Sequence, residues 1–220
     1  MLINNNNNNN NNIGLVTCEH QASFRAAAAP HSGDWLHALP ITSCGLRMDD
    51  ESVRVAAGLR LGCNVCVPHA CVCGTQVDAC GMHAFVCKRA PGQIARHQAL
   101  NDVVARAFVS AGVAVTKEPV GLARQDGKRP DGLTLIPWQR GKPLTWDVTV
   151  AHTLADSYVS VTARSGGAAA EQAAGRKIAK YDHLAQTGRL FQPIAAETLG
   201  PLNKSCIAFF SQLAARWRLF

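Results

Sequence analysis

Two stretches decide the fold: Arg129-Pro130-Asp131-Gly132-Leu133-Thr134-Leu135-Ile136 and Leu144-Thr145-Trp146-Asp147-Val148-Thr149-Val150. Their β-branched and aromatic residues, bounded by proline and glycine, predict strands over Gly132–Ile136 and Leu144–Val150. The connection Pro137-Trp138-Gln139-Arg140-Gly141-Lys142-Pro143 has the composition of a hairpin loop. A hairpin centred on Arg140 puts Asp131 opposite Thr149 and diagonal to Asp147. Strand side chains alternate, so Asp131, Asp147 and Thr149 share one face, while Trp146, Val148 and Val150 turn to the core. Diagonal neighbours lie ~7–8 Å apart, and their side chains can close that gap around one cation. Two carboxylates beside Lys128 and Arg129 suit a hard cation such as Mg²⁺, with water and phosphate completing its shell. The plain alternative is a turn aspartate after proline and a salt-bridged strand aspartate.

On either side the pattern stays regular. Leu100, Val103, Val104, Ala107, Phe108 and Ala111 recur at three and four, predicting a helix from His97 that Gly112 ends. Val113–Glu118 reads as a strand. Ala168–Ala185 reads as an alanine-rich helix with Ala174, Ile178, Tyr181 and Ala185 inward. Lys177 neighbours Lys180 and Tyr181 on it; a solvated basic face is the ordinary reading of such a pair. Phe191–Leu199 is a further strand, placed near a sheet edge because Pro193 cannot donate to a ladder. Ser205 caps a last helix with Ile207, Phe210, Leu213, Ala214 and Trp217 on one face. The order helix, three strands, helix, strand, helix predicts a mixed α/β layer.

Towards the N-terminus the period is lost. Residues 1–32 read as a disordered or weakly structured tail, with the run Asn4–Asn12 and one short helix, Ala22–Ala29, stopped by Pro30. Residues 33–62 form a linker with one helix, opened by Asp49 or Asp50, striped by Val53, Ala56, Ala57 and Leu61, and closed by Gly62. Residues 63–96 hold Cys63, Cys66, Cys71, Cys73, Cys80, His83 and Cys87 with no packing period. Zinc takes four tetrahedral nitrogen or sulfur ligands. Cys71, Cys73, His83 and Cys87 are the preferred set, with Cys63, Cys66 or Cys80 able to replace one member; reduced, partly buried cysteines without metal are the alternative.

Composition bounds the rest. Of 220 residues 47% are hydrophobic and 17% charged, enough to bury a core and too apolar for wholesale disorder. No run of ~18 uncharged apolar residues exists, which excludes a membrane span. The opening residues lack the basic and apolar regions of a secretion signal, so the nine cysteines predict metal ligation or burial rather than disulfides. Lysine and arginine number 22 against 15 acids, a net charge of +7, which predicts an acidic partner, nucleic acid first.

These motifs together resemble the C-terminal region of the polyproteins of site-specific non-LTR retrotransposons that carry a restriction-like endonuclease. His37-Ala38-Leu39-Pro40, the cysteine stretch Cys71 to Cys87, Arg96-His97, Pro130-Asp131, Asp147-Val148-Thr149-Val150 and Lys177-x-x-Lys180-Tyr181 stand in that family's order, from about Trp35 onward. The resemblance implies a CCHC zinc knuckle followed by a restriction-endonuclease-like PD-(D/E)XK domain over residues 97–220. It implies Mg²⁺ (or Mn²⁺) on Asp131 and Asp147, catalytic roles for Lys177 or Lys180 and for Tyr181, Zn²⁺ on Cys71, Cys73, His83 and Cys87, and nucleic-acid contacts from Arg96, His97, Lys128 and Arg129. The implied activity is metal-dependent nicking of a DNA target site in the nucleus, with DNA and element RNA as partners. The alternative is an inactive zinc-containing nucleic-acid-binding module or an element fragment. Asp49-Asp50 opens a helix rather than sitting in a strand, so the family's reverse transcriptase is read as absent from this chain. Three departures stand out: the histidine motif is one residue short, Cys-x-Cys is compressed, and Thr149 occupies the signature lysine position. A lysine from the following helix fills that place in the closer family.

Overall fold

The computed structural model describes residues 17–217 apart from 90 and 125–126; the asparagine run and the side chain of Trp217 lie outside the described residues. Helix α1 (Cys18–Ala27) is capped by the Thr17 hydroxyl, and α2 (Asp50–Leu61) by Asp49, whose Oδ1 accepts from Ser52 N at 2.6 Å. Gly62 closes α2 in the left-handed region at φ 68°, as expected. The apolar stripe expected on α2 is not buried: Leu61 is 76% exposed, and Gly58 is the buried position. A β-carbon at Gly58 would meet Val65 at 2.7 Å, so the helix leans on the cysteine segment through its smallest residue.

That segment holds two short antiparallel strands, β1 (His69–Ala70) and β2 (Gln76–Val77), then a single 3₁₀ turn over Met82–Phe85. Helix α3 (Gly92–Ser110) starts ahead of the expected His97. Gln93 and Arg96 donate back to Phe85 O at 3.4 and 3.2 Å, which fixes the added turn by tertiary contact.

The larger sheet has four strands in the order β3 (Val115–Lys117), β4 (Gly132–Thr134), β5 (Leu144–Ala151), β6 (Leu190–Glu197). The first three run antiparallel, and β6 lies parallel to β5. The chain reaches β6 through α4 (Val159–Thr162), α5 (Ala168–Lys180) and α6 (His183–Gln186), and ends in α7 (Lys204–Trp217). The sheet is therefore mixed, and β6, carrying Pro193, is an edge strand as expected.

The hairpin register differs from the expected one. Gly132 pairs with Trp146 and Leu133 with Thr145, which brings Asp131 level with Asp147 rather than with Thr149. The turn itself sits at Arg140 and Gly141, both with positive φ, bridged by Gln139 and Lys142. The residues between Thr134 and Gln139 bulge outward. Thr134 Oγ1 stands in for a ladder carbonyl by accepting from Leu144 N at 2.9 Å, and Trp138 folds into the core. The slip is by two residues, so every side chain keeps its face.

One face of the sheet packs on α3 and α7 through Val104, Phe108, Trp146, Val148, Ile194 and Phe209. The Trp146 indole N–H donates to Asn101 Oδ1 at 2.8 Å, and Gly132 leaves room for the ring. The other face packs on α5 through Ala151 and Ala195 against Ala169, Ala170, Ala173 and Ala174. Alanines bring that helix close to the strands. The helix expected over Ala168–Ala185 breaks after Lys180: Ile178 is 53% exposed, Ala185 is exposed, and Leu184 takes the buried place. Tyr181 causes the break by turning its ring onto Phe191, centroids 5.0 Å apart. In α7 Leu213 is buried as expected, but Cys206 and Phe209 take the places expected of Ile207 and Phe210, Ala214 is exposed, and Asn203 rather than Ser205 precedes the first turn. No helix among the described residues is long and apolar enough to cross a membrane.

Candidate functional site

The β1–β2 turn carries Cys71 and Cys73. Cys71 N donates to Thr75 O at 2.9 Å, and Gly74 takes φ 91°, so the chain folds back within a few residues. Gly81, also left-handed, aims the 3₁₀ turn so that His83 and Cys87 face the hairpin, with Cys87 N donating to His83 O at 3.0 Å. The ligand atoms of Cys71, Cys73, His83 and Cys87 all lie within 4.8 Å of one another. Cys71 Sγ is 3.6 Å from Cys87 Sγ, and Cys73 Sγ is 3.2 Å from His83 Nε2. The cluster can hold a metal such as zinc. Hydrogen bonds from the Thr75 hydroxyl, and then from its amide, pull the Cys73 thiol down to about 6, towards the thiolate that binds metal. Cys63, Cys66 and Cys80 are not in this group; Cys66 Sγ instead donates to Asp78 O at 3.2 Å.

The acidic pair lies at the start of β4 and the middle of β5. The Asp147 side chain is 3% exposed. Burial first, and the charge of Asp131 second, push its carboxyl up, against the pull of Lys177. Lys177 forms an ion pair with Asp147 Oδ1, and Lys180 Nζ lies 3.9 Å from Oδ2. Oδ1 is buried, and the Lys177 ammonium is its partner. Asp131 Oδ2 accepts from Val148 N at 2.6 Å and lies 3.0 Å from His97 Nε2. That hydrogen bond raises the His97 pKa, with burial opposing it. The two carboxylates stand level on neighbouring strands, with the Lys177 ammonium against one and the His97 ring against the other.

The remaining predicted residues divide. Tyr181 is buried and donates to Arg129 O at 2.8 Å; its hydroxyl is pushed up, mainly by burial, so it stays protonated. Lys180 lies over the Tyr181 ring at 4.4 Å, and burial lowers its pKa. Arg129 pairs with Glu118 on the surface, and Lys128 is exposed beside it. Arg96 lies on the other side of the acids, stacked at 5.0 Å over Phe85, which in turn stacks on His152 at 5.1 Å. Sequence reasoning did not single out Phe85, His152 or Arg176. Arg176 is adjacent to Lys177, and no motif marks it. The Phe85–His152 contact joins residues far apart in the chain and left no local signal.

No protein-family model matches this chain, and no curated protein matches it.

Proposed function

We propose that the chain is a metal-dependent DNA endonuclease of the restriction-endonuclease-like class, related to the nuclease region of site-specific non-LTR retrotransposons. The observation that carries this reading is the convergence of Asp131, Asp147 and Lys177 from β4, β5 and α5, with Lys177 filling the place beside the acids that Thr149 leaves vacant. Asp131 and Asp147 would hold Mg²⁺ or Mn²⁺, which when bound polarises a phosphate and lowers the pKa of water. Lys177 offsets charge on the phosphate under attack and orients the attacking water. Lys180 adds positive potential at the same place. Tyr181 is a positioning residue: its buried ring and its bond to Arg129 O fix the rotation of the segment that carries both lysines. His97 holds Asp131 in register.

On this reading the Cys/His cluster is a CCHC zinc knuckle that assists nucleic-acid binding, alongside Arg96, Lys128 and Arg129, and the protein works on nuclear DNA, with element RNA as a further partner. One observation favours a second reading, an inactive binding module: the Lys177 ammonium already neutralises Asp147 in the absence of a cation. Nicking of supercoiled plasmid with and without Mg²⁺ separates the two. The wild type should nick only with the metal, and Lys177→Ala and Asp131→Ala should not. Plasmid left intact by the wild type at any Mg²⁺ or Mn²⁺ concentration would end the endonuclease reading.

A further inference from the structure

A cavity of about 370 Å³ opens between the cysteine segment, the first turns of α3, the end of β5 and α5. It borders the acidic pair directly. His97, which bonds Asp131, lines it, and so does Thr149, the next residue after Asp147 on the same strand face.

The lining contains two guanidinium groups, Arg96 and Arg176, and no carboxylate. Neither arginine forms an ion pair among the described residues. Both are held in place by aromatic neighbours. Arg96 lies on the Phe85 ring and donates to Phe85 O, while its buried Nε has no partner. Arg176 lies 5.4 Å over the Tyr158 ring and donates to its hydroxyl. Planar forks fixed in this way are prepared for bidentate recognition of a phosphate. Arg176 is exposed and could be solvated, but Arg96 carries a buried donor that has no acceptor among the described residues, which is costly and which an anion satisfies.

The spacing points to what the anion belongs to. Arg96 precedes His97, which bonds Asp131, and Arg176 precedes Lys177, which pairs with Asp147. A phosphate at the arginines therefore lies beside one at the acids, as neighbouring groups of one nucleic-acid backbone do. The volume is at the small end for ligand pockets, of about 300–1,000 Å³, enough for a phosphate with its sugar.

We propose that this cavity clamps a backbone phosphate of a single nucleic-acid strand between Arg96 and Arg176, beside the bond that Asp131 and Asp147 address. The place beside a scissile bond rests on the endonuclease reading; the clamp itself does not. Phe85 forms one wall and lies between His83 and Cys87 in the chain, so the Cys/His cluster completes the clamp.

The test is fluorescence anisotropy of a short labelled oligothymidylate on the full chain at low salt without added Mg²⁺. The double variant Arg96→Gln with Arg176→Gln should bind about tenfold or more weakly and show a salt slope shallower by about one. The charge-matched pair Arg140→Gln with Lys142→Gln, on the exposed hairpin turn, should weaken binding less than about threefold by losing only screened charge. Zinc content and thermal midpoint check that the variants fold, and Arg96→Lys with Arg176→Lys, which keeps charge but not the forks, should fall between. Equal losses in the two glutamine pairs would overturn the clamp. Inorganic phosphate binding as tightly as the oligonucleotide would also overturn it, by making this a site for the free ion. If no protein nicks DNA but the arginine dependence persists, the endonuclease reading falls and the clamp stands.

Discussion

In the Cys/His cluster, four ligand atoms are brought together by two-residue strands and one 3₁₀ turn, and Val77 and Cys87 are among the few buried apolar residues near them. In the acidic pair, two carboxylates ride on strands whose opposite face carries Trp146 and Val148, both fully buried. A core positions the acids whether or not an ion is present. The cysteine segment has no comparable core, so a bound metal would carry a large share of its folding free energy. One region would be ordered by the metal it can hold; the other is ordered by its own core.

Removing metal should produce the largest effect, and on one region only. Structural zinc sites are worth about 10–16 kcal/mol of apparent binding free energy in small fingers at neutral pH. A strong chelator in reducing buffer should therefore abolish amide protection around Cys71–Cys87 and leave β5 and α3 protected, as read by hydrogen exchange. Cys87→Ser should lower a stoichiometry of about one zinc per chain; Cys18→Ser, at an exposed position outside the cluster, should not. Equal loss in both regions would break the comparison.

Asp147→Asn should do the reverse. Nicking should drop by about 100-fold or more, the scale of losing a group that stabilises charge in the transition state. Stability should hold or rise, because a buried acid is being neutralised. A lower urea midpoint for this variant would mean that Asp147 serves the fold.

A smaller effect sharpens the claim about the core. Asn101→Ala removes the acceptor of the buried Trp146 N–H and should cost about 1–3 kcal/mol in urea unfolding, with zinc content unchanged.

The smallest effect is one of pH, at the far end of the sheet. Glu197 is buried, and Oε1 accepts from Ala169 N at 2.9 Å and from Ala170 N at the start of α5. Burial raises its pKa above the ordinary 4.5, against those amides. The folded state then holds the proton more tightly than the unfolded one, so the stabilisation is complete below pH 4.5 and is lost as pH rises through the folded value. Glu197→Gln should flatten that part of the stability profile; an unchanged profile would show that Glu197 is ionised throughout.

The same contrast explains what could be read from the sequence. The strand order, the edge position of β6 and the shared face of Asp131 and Asp147 were legible because they follow from period-two patterning and one proline. The register was not. The bulge between Thr134 and Gln139 depends on Trp138 finding the core, a tertiary event, and the face assignment survived only because the slip was even. The break after Lys180 was hidden for a similar reason, since Tyr181 is held by Arg129 and Phe191 from other elements. The four gathered metal ligands were legible because hairpin and turn lie close together in the chain.

Gly132 carries a consequence for how such a chain would drift under mutation. A β-carbon at this position would fall within the indole ring of Trp146. Every replacement therefore strikes the core, whereas Asp147→Asn is expected to leave it intact. In a lineage released from selection for DNA cutting, the acid would be lost early and the glycine late. A surviving Gly132 thus records a constraint of packing, and on the endonuclease reading the aspartate on β5 is the better witness of activity.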